Sequence, residues 1–577
     1  MYNLRPRPVR IAALVALALT PGCTGTDPRG RPAAGLPAAP LASPTAPVLP
    51  IAVPDGEDIL AEALAWDSDR YQHPPTSFRA GHVTRRTLDP TATAPGRHGF
   101  TVQLPSRAPV ASPAVYQDTV FVSGGFRSRE FYAFAARTGE PRWAVDLDDD
   151  GPSTAACDRG ICVFNTESCT VFAVDARTGE MLWSHWLGDP LMSAPTIAGG
   201  LVFTAYPAGN APAYGANPAA NAAAPAQNAG PAAGAAPGAA AHGPGPGAPA
   251  TDSAAAPPGA AKPRPPGTSH VLAALDLQTG AIVWQRWLDS DVMSAPVAVG
   301  GAVHVATFAG TLLQFEQHSG ALLAAQRARA TSAPVVRGDA LYFTRRTDAD
   351  AARSAVEGVV RQGRSSGTVD YVAAQRDAPY LDADVQARSA MGSSGRALDT
   401  ANGFAGGAPA AANPQPALAN VGQASVSTLQ AFQGSRVLSD GQRNITTMGD
   451  EVVCTDPVTG AKLWSVQLAG DLARAGGSLA APPAAAGGRL FVATLAGEVL
   501  QMSPETGAIE RRYPVGAPVR SQPVIDGGWI YVGTEDGKLV AINTGDPDLT
   551  GWPMWGGGPA RTGLAPATSA IPGASGR

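Results

Sequence analysis

Residues 173–183 read AVDARTGEMLW, and the same pattern returns at residues 274–284 as ALDLQTGAIVW. Two further copies are residues 454–464 (CTDPVTGAKLW) and residues 133–143 (AFAARTGEPRW), the latter with Ala135 in the Asp position. Asp and Thr-Gly are turn residues, because Gly adopts positive φ freely and Asp hydrogen-bonds to nearby backbone. The flanking apolar residues alternate as they do in strands. Each copy therefore predicts two short strands joined by a turn.

A second pattern, Ser-x-Pro-x-x-x-Gly-Gly followed by alternating apolar residues, supplies the other half of a repeat. It occupies residues 193–200, 294–301 and 521–528. The two patterns together make a four-stranded unit of about 40 residues, which is typical of a propeller blade. Units begin near Ser112, Ser153, Ser193, Ser294, Ser332, Ala481 and Ser521.

The last unit lacks an outer strand, and residues 99–104 (GFTVQL), which precede the first unit, have the pattern of one. Pairing the two would close the ring and remove both sheet edges. The sequence therefore predicts an all-β protein: a seven-bladed β-propeller of four-stranded antiparallel blades, with eight blades as the alternative.

These repeats resemble the quinoprotein-like β-propeller repeat, which is named after proteins that bind pyrroloquinoline quinone (PQQ). The resemblance is strongest in the tryptophan-docking motif of that repeat. Residues 551–555 (GWPMW) and 559–563 (PARTG) also resemble a segment common in this superfamily. The resemblance implies a propeller over residues 97–563, with envelope lipoproteins of the BamB type as its functional analogues. It further implies a structural role, stacking between blades, for four tryptophans: Trp143, Trp183, Trp284 and Trp464.

The N-terminus has the features of an export signal. Three arginines within residues 5–10 precede the apolar run 11–19, and small residues then lead to Cys23. Residues 19–23 resemble a bacterial lipoprotein cleavage site, so residues 1–22 are predicted to be a signal peptide and Cys23 to be lipidated. The alternative is an ordinary signal peptide with an incidental cysteine. A lipid on Cys23 would place the protein at the periplasmic face of the outer membrane or at the cell surface.

Several segments lack the large apolar residues that a core needs. Residues 23–96 are predicted to be a flexible tether with a short helix at residues 59–71. Residues 207–267 and 347–434 are predicted to be disordered inserts, the second with a weak helical pattern at residues 351–361, and residues 564–577 a disordered tail. The inserts are interpreted as tolerated expansions or, alternatively, as segments that limit or recruit partners.

Composition excludes several classes of protein. The chain of 577 residues has 42 Lys+Arg against 47 Asp+Glu, a net charge of −5, which argues against a nucleic-acid binder. Charged residues make up only 15% of the chain, which argues against a coiled coil. No apolar run reaches the roughly 18 residues of a membrane-spanning helix.

Several motifs for catalysis are absent from the sequence. It contains no H-E-x-x-H, P-loop or Cys-x-x-Cys-His motif, and no adjacent cysteine pair. Quinone-dependent dehydrogenases of the resembled superfamily need an axial calcium site and a catalytic Asp, neither of which can be placed here. We therefore expect no enzymatic activity, no cofactor and no metal, with PQQ and calcium as the alternative.

Acidic residues and two methionines lie in the predicted connections between blades, on the face that also carries the inserts. The prediction is a partner-binding face or a weak cation site, and the alternative is a set of solvated turn residues. The residues are Asp148, Asp149, Asp150, Asp189, Met192, Asp289, Asp291, Met293 and Asp471.

The cysteines suggest one covalent link. Cys157 and Cys162 flank a predicted hairpin turn and could form a disulfide, with Cys169 as an alternative partner. Cys454 is expected to be buried and free, and packing of all these cysteines as small apolar residues remains the other interpretation.

The functional prediction is a non-catalytic protein-binding scaffold of the bacterial cell envelope. By analogy with BamB-type lipoproteins, it would act in outer-membrane protein assembly, as a monomer that binds envelope proteins through its inter-blade loops and the membrane through Cys23. The alternatives are a PQQ-dependent oxidoreductase and a cell-surface protein that binds carbohydrate or another ligand.

Overall fold

The computed structural model describes the propeller and short pieces of the chain before it. The described residues are 57–58, 61, 63, 84–85, 93–96, 99–125, 128–147, 151–166, 170–187, 193–207, 265–347, 356–377, 435–472 and 478–563. Within these ranges the strands form eight antiparallel sheets, which are the blades of a propeller. The prediction of seven blades is therefore wrong.

Each of the first seven blades consists of four strands that are consecutive in the chain, numbered here from the innermost outward. The strands of blades 1 to 4 are Ala114–Tyr116, Thr119–Ser123, Glu130–Ala135, Pro141–Asp146; Ala156–Asp158, Ile161–Asn165, Thr170–Asp175, Met181–Trp186; Thr196–Ala198, Leu201–Pro207, His270–Asp276, Ile282–Leu288; and Val297–Val299, Ala302–Ala306, Thr311–Glu316, Leu322–Arg327.

The remaining blades continue around the ring. The strands of blades 5 to 7 are Val335–Arg337, Ala340–Thr347, Val356–Gly363, Val369–Asp377; Val437–Ser439, Asn444–Met448, Glu451–Thr455, Lys462–Gln467; and Ala484–Ala486, Arg489–Ala493, Glu498–Met502, Ile509–Pro514. Blade 8 contributes Val524–Asp526, Trp529–Gly533 and Lys538–Asn543 from the C-terminal part of the chain.

An N-terminal strand completes blade 8 and closes the ring. Gly99–Gln103, the closing strand, pairs antiparallel with Lys538–Asn543, with Lys538 opposite Gln103 and Ile542 opposite Gly99. Thr93–Gly96 adds outside it. Short strands also extend the outer edges of blade 4 (Glu57–Asp58) and blade 1 (Thr84–Arg85). The predicted closure by residues 99–104 is present in the structure.

The eighth blade arises from residues that the sequence pattern assigned to an insert. Residues 356–377 form the two outer strands of blade 5, and the predicted weak helix at 351–361 is a strand over its described part. Blade 6 then has its own inner strands at residues 437–448. Neither the second half of blade 5 nor the first half of blade 6 carries the full repeat signature. The sequence pattern therefore joins the first half of blade 5 directly to the second half of blade 6.

The docking tryptophans connect consecutive blades in the same way. The Trp183 indole, on the outer strand of blade 2, donates to the Leu277 carbonyl of blade 3 at 2.9 Å. Its ring lies over Gly280, where an added Cβ would approach it to 2.6 Å. Gly280 has φ of +70°, so the position requires glycine for both its backbone and its space.

Other interfaces repeat this contact with small variations. Trp143, Trp284 and Trp464 donate to the carbonyls of Ala176, Gln317 and Pro504 in the next blade. Between blades 5 and 6, Tyr371 takes the tryptophan position and its hydroxyl donates to the Pro457 carbonyl. Between blades 8 and 1, the Phe100 ring of the closing strand covers Gly139.

Several sequence predictions fall on residues outside the described ranges. They are the signal peptide 1–22, Cys23, nearly all of the tether 23–96 with its helix, the insert interior 208–264, residues 348–355 and 378–434, and the tail 564–577. Ala63, from the predicted helix, is described and is buried in the core of blades 2 to 4.

Candidate functional site

The centre of the propeller is occupied by the chain's own residues 551–563, here called the terminal segment. Gly551–Trp552 pairs with Ala484–Ala486, the innermost strand of blade 7. Three further backbone hydrogen bonds connect the segment to innermost strands on both sides of the axis: Ile525 N–H to Pro553 O, Cys157 N–H to Pro559 O and Ile197 N–H to Ala560 O. The terminal segment therefore runs across the axis and links blades 7, 8, 2 and 3.

Trp555 and Arg561 fill the middle of the axis. The Trp555 ring is 7% exposed and packs with Ala194 and Ala295. The Arg561 guanidinium lies 4.4 Å from the Trp555 ring centroid, a cation–π distance, and donates to both oxygens of Thr154. Burial lowers the pKa of Arg561 to about 9, so its side chain still carries a proton at neutral pH.

Sequence reasoning missed this role of the C-terminus. It identified residues 551–563 as a segment common in the superfamily but gave them no position. The sequence signal for this role was a tryptophan followed by Gly556, Gly557 and Gly558. This combination supplies one large ring on a backbone that can pass close to neighbouring strands. Gly556 adopts φ of +71°, and a Cβ there would come within 2.5 Å of the Arg561 backbone.

One face of the propeller, here called the upper face, carries the loops between second and third strands and the connections between blades. The opposite lower face carries the other turns of each blade. Asp471 is exposed on the upper face, in the connection after blade 6. Asp289 and Asp291 follow the outer strand of blade 3, in the connection to blade 4.

Two of the acidic residues predicted for an exposed surface are turned inward. Asp291 is 6% exposed, and one carboxylate oxygen accepts the Val292 N–H at 2.7 Å. Burial raises the pKa of Asp291 to about 7. Burial also raises the pKa of Asp289, although the Thr311 hydroxyl donates to it. Met293 is fully buried, so these side chains support the blade 3–blade 4 junction rather than an open surface.

The other residues of the predicted face cannot be placed. Asp148, Asp149, Asp150, Asp189 and Met192 lie outside the described residues. The structure therefore brings together Asp289, Asp291 and Met293 in one junction, and places Asp471 separately on the upper face.

The two cysteines of the predicted hairpin are directly opposite each other. Cys157 and Cys162 form a cross-strand pair between the two innermost strands of blade 2 and are joined as a disulfide, with a Cα–Cα distance of 4.2 Å. Both are buried. Cys454 is a buried free thiol on blade 6, and burial raises its pKa to about 12. Cys169 lies outside the described residues.

Among the described residues, no group of three or more His, Cys, Asp or Glu side chains could hold a metal ion. In the same part of the chain, no helix has the length and apolar character needed to span a membrane.

The fold and axis define a class: an eight-bladed, tryptophan-docked propeller whose centre is filled by its own C-terminal segment. The family model described as outer membrane protein assembly factor BamB matches residues 127–217, 264–415 and 422–562. These ranges cover more than half of the chain, and the chain belongs to this family. The recognition of a quinoprotein-like, BamB-type repeat is confirmed. A search of the curated proteins gave no significant match.

The solved structures that match the chain have low sequence identity to it. BamB from Moraxella catarrhalis is 15% identical, with a TM-score of 0.46 over 77% of this chain and 96% of its own. The computationally designed Ika8 protein is 12% identical, with a TM-score of 0.46 over 76% and 96%. The quinohemoprotein alcohol dehydrogenase ADHIIG from Pseudomonas putida HK5 is 11% identical, with a TM-score of 0.44 over 77% and 76%.

Proposed function

We propose that this protein is a non-catalytic protein-binding scaffold of the bacterial cell envelope that acts in outer-membrane protein assembly. In this proposal residues 1–22 direct export, a lipid on Cys23 tethers the chain to the outer membrane, and the upper face binds an envelope protein. The observation that carries the proposal is membership of the BamB family over most of the propeller.

The filled axis supports a role in binding rather than catalysis. A planar quinone bound at the centre of the ring would have to displace Trp555, which is buried there against Ala194 and Ala295. It would also have to separate the Arg561 guanidinium from that ring and from Thr154. Loops on the faces of the ring remain available, and binding surfaces on loops held by a rigid scaffold are common.

Site-specific photocrosslinking in the producing bacterium tests the proposed binding face. Blade 6 offers a matched pair of exposed positions, because Asp471 follows its outer strand on the upper face and Val458 precedes that strand on the lower face. A photoreactive amino acid at Asp471 should give adducts that contain an outer-membrane assembly component, whereas one at Val458 should not. Equal adducts from both positions, or none from Asp471 and from Pro518 in the next connection, would contradict the proposal.

Calorimetry with PQQ and calcium, followed by an artificial-acceptor assay, tests the non-catalytic part. We expect neither binding heat nor dye reduction by the mature protein, because Trp555 occupies the axis. Tight binding accompanied by turnover would instead identify a quinone-dependent oxidoreductase and would require the terminal segment to move.

A further inference from the structure

The interface between blades 4 and 5 differs from its neighbours because it lacks a docking ring. Ala324 stands at the position on the outer strand of blade 4 that tryptophan occupies in blades 1, 2, 3 and 6. The matching glycine of blade 5 is Gly367, with φ of +70°. A Cβ placed on Gly367 would meet nothing within 4 Å, whereas one on Gly320 would lie 2.6 Å from the Trp284 ring.

A cavity occupies the space that a ring fills elsewhere. Its volume is about 400 Å³, which lies within the range of about 300–1,000 Å³ for small-molecule sites. Leu323, Ala324 and Ala325 line it from blade 4, and residues 364–368 line it from blade 5. We refer to this cavity as the blade 4–5 cleft.

Two polar side chains that line this cleft each have one buried atom without a hydrogen-bond partner among the described residues. His304 is 3% exposed, and its Nε2 has no hydrogen-bond partner among the described residues. Gln362 is 4% exposed, and its Oε1 is likewise unpaired in that part of the chain. Both side chains line the cleft.

The backbone offers an acceptor at the place where docked rings donate. At the interfaces that have a docking tryptophan, the ring covers a glycine of the next blade, and the carbonyl three residues before that glycine accepts the ring N–H. Leu277 O accepts from Trp183 in this way at 2.9 Å. The corresponding atom in blade 5 is the Arg364 carbonyl, for which no donor occurs among the described residues. An N–H on a ring stacked over Gly367 would have this acceptor available.

The charges around the cleft narrow the class of ligand. Burial, together with the nearby Arg364 guanidinium, lowers the pKa of His304 to about 3, so the imidazole is neutral at physiological pH. Arg364 itself lines the cleft and disfavours a cationic ligand. The open space over Gly367 and the Arg364 carbonyl are matched by a flat ring with an N–H group that carries no positive charge.

We propose that the blade 4–5 cleft is a binding site for an indole ring, which stacks on Gly367 and donates its N–H to the Arg364 carbonyl. The ring would reproduce the contact that a docking tryptophan makes within the chain at other interfaces. Its source is either the tryptophan side chain of a partner protein or a free indole compound, which present the same chemistry to the site.

Ligand-observed NMR and calorimetry on the mature protein test this site with indole and 1-methylindole. Indole should bind with a Kd on the order of 1 mM or tighter. 1-Methylindole should bind about fivefold more weakly, because it cannot donate the hydrogen bond. Absence of indole binding, or equal affinity for the two compounds, would overturn the proposal.

The substitution Ala324→Trp should fill the cleft with the chain's own indole and weaken indole binding at least tenfold. Arg511→Trp is the matched control, since it adds a tryptophan at the equivalent position of blade 7 and should leave binding unchanged. Ala324→Leu provides a smaller filler in case the first variant misfolds, and it too should weaken binding. Unchanged indole affinity in a folded Ala324 variant would locate the binding elsewhere and refute the assignment.

A further comparison identifies the source of the ring. N-Acetyltryptophanamide presents the indole as a protein side chain does. If this compound binds more tightly than indole, the site exists and its ligand is the tryptophan side chain of a partner protein. If free indole binds more tightly, the site exists and its ligand is a small molecule. Loss of binding for both compounds would contradict the site itself.

Discussion

Trp183 is a single residue on which the contact between two blades depends. Its ring is 3% exposed, covers Gly280 and donates to the Leu277 carbonyl. Trp183→Ala should therefore lower the free energy of unfolding by about 3–5 kcal/mol, since it leaves a cavity and an unpaired carbonyl.

Its neighbour Leu182 provides the control for this prediction. Leu182 is 47% exposed on the same strand, so Leu182→Ala should change stability by no more than about 0.5 kcal/mol. Denaturant unfolding of both variants measures the difference. Equal losses in the two variants would mean that strand pairing, rather than ring docking, holds the blades together.

The raised pKa of Asp291 predicts that the stability of the protein depends on pH. Its pKa is raised to about 7 in the folded protein, so between pH 4 and pH 7 the folded state binds more protons than the unfolded state. Its stabilising contribution is therefore present below about pH 4 and is lost as the pH rises to about 7. Each unit of pKa shift corresponds to about 1.4 kcal/mol.

Asp291→Asn removes this titration while keeping an oxygen for the Val292 N–H. Relative to the parent protein, the variant should gain stability at pH 8 compared with pH 5, as measured by unfolding at both values. Asp289 contributes in the same direction, because burial also raises its pKa, and it remains in both proteins. Parallel pH profiles for the two proteins would show that Asp291 does not titrate in this range.

Single residues also show where sequence reasoning succeeds. The docking tryptophans were predictable because a fixed spacing from Thr-Gly places the ring over the next blade. Burial of Asp291 was not predictable, because an acidic residue in a connection between blades is usually solvated. Its position depends on contacts between blades 3 and 4 that no local pattern encodes.

At the scale of elements, the terminal segment is a short piece of chain with contacts on four blades. A chain that stops after Thr550 should have a melting temperature lower by about 5 °C or more, because it loses the buried Trp555 and the pairing with blade 7. A chain that stops after Gly563 keeps every described contact and is the control. Indistinguishable melting curves would mean that the segment contributes little to the propeller.

Blades 5 and 6 explain why the blade count was underestimated. Blade 5 has Ser366-Gly367 in its outer turn and Tyr371 in the tryptophan position, so its second half does not match the repeat. The first turn of blade 6 uses Asp440-Gly441 and has no preceding Ser-x-Pro. Tyr371 still reaches the Pro457 carbonyl, so the contact survives the loss of its signature.

At the scale of the whole molecule, the sequence repeat predicts a propeller but does not predict which residues lie on its central axis. Four-stranded blades and closure by residues 99–104 follow from local alternation and from the need to pair edge strands. The position of residues 551–563 depends on the innermost strands of blades far apart in the chain, so it could be read only from the structure. The same holds for the blade 4–5 cleft, which exists because one interface lacks its ring.

The closing strand has a consequence for the order of events during synthesis. Gln103 hydrogen-bonds to Gly537, 434 residues later in the chain. A ribosome adds about 5–20 residues per second, so the closing strand waits tens of seconds for its partner. Individual blades have local connections and can form as they emerge, but the ring is an open arc until blade 8 is made. Such an arc exposes a strand edge at each end, and a nascent-chain holding factor that shields these edges would favour closure over aggregation.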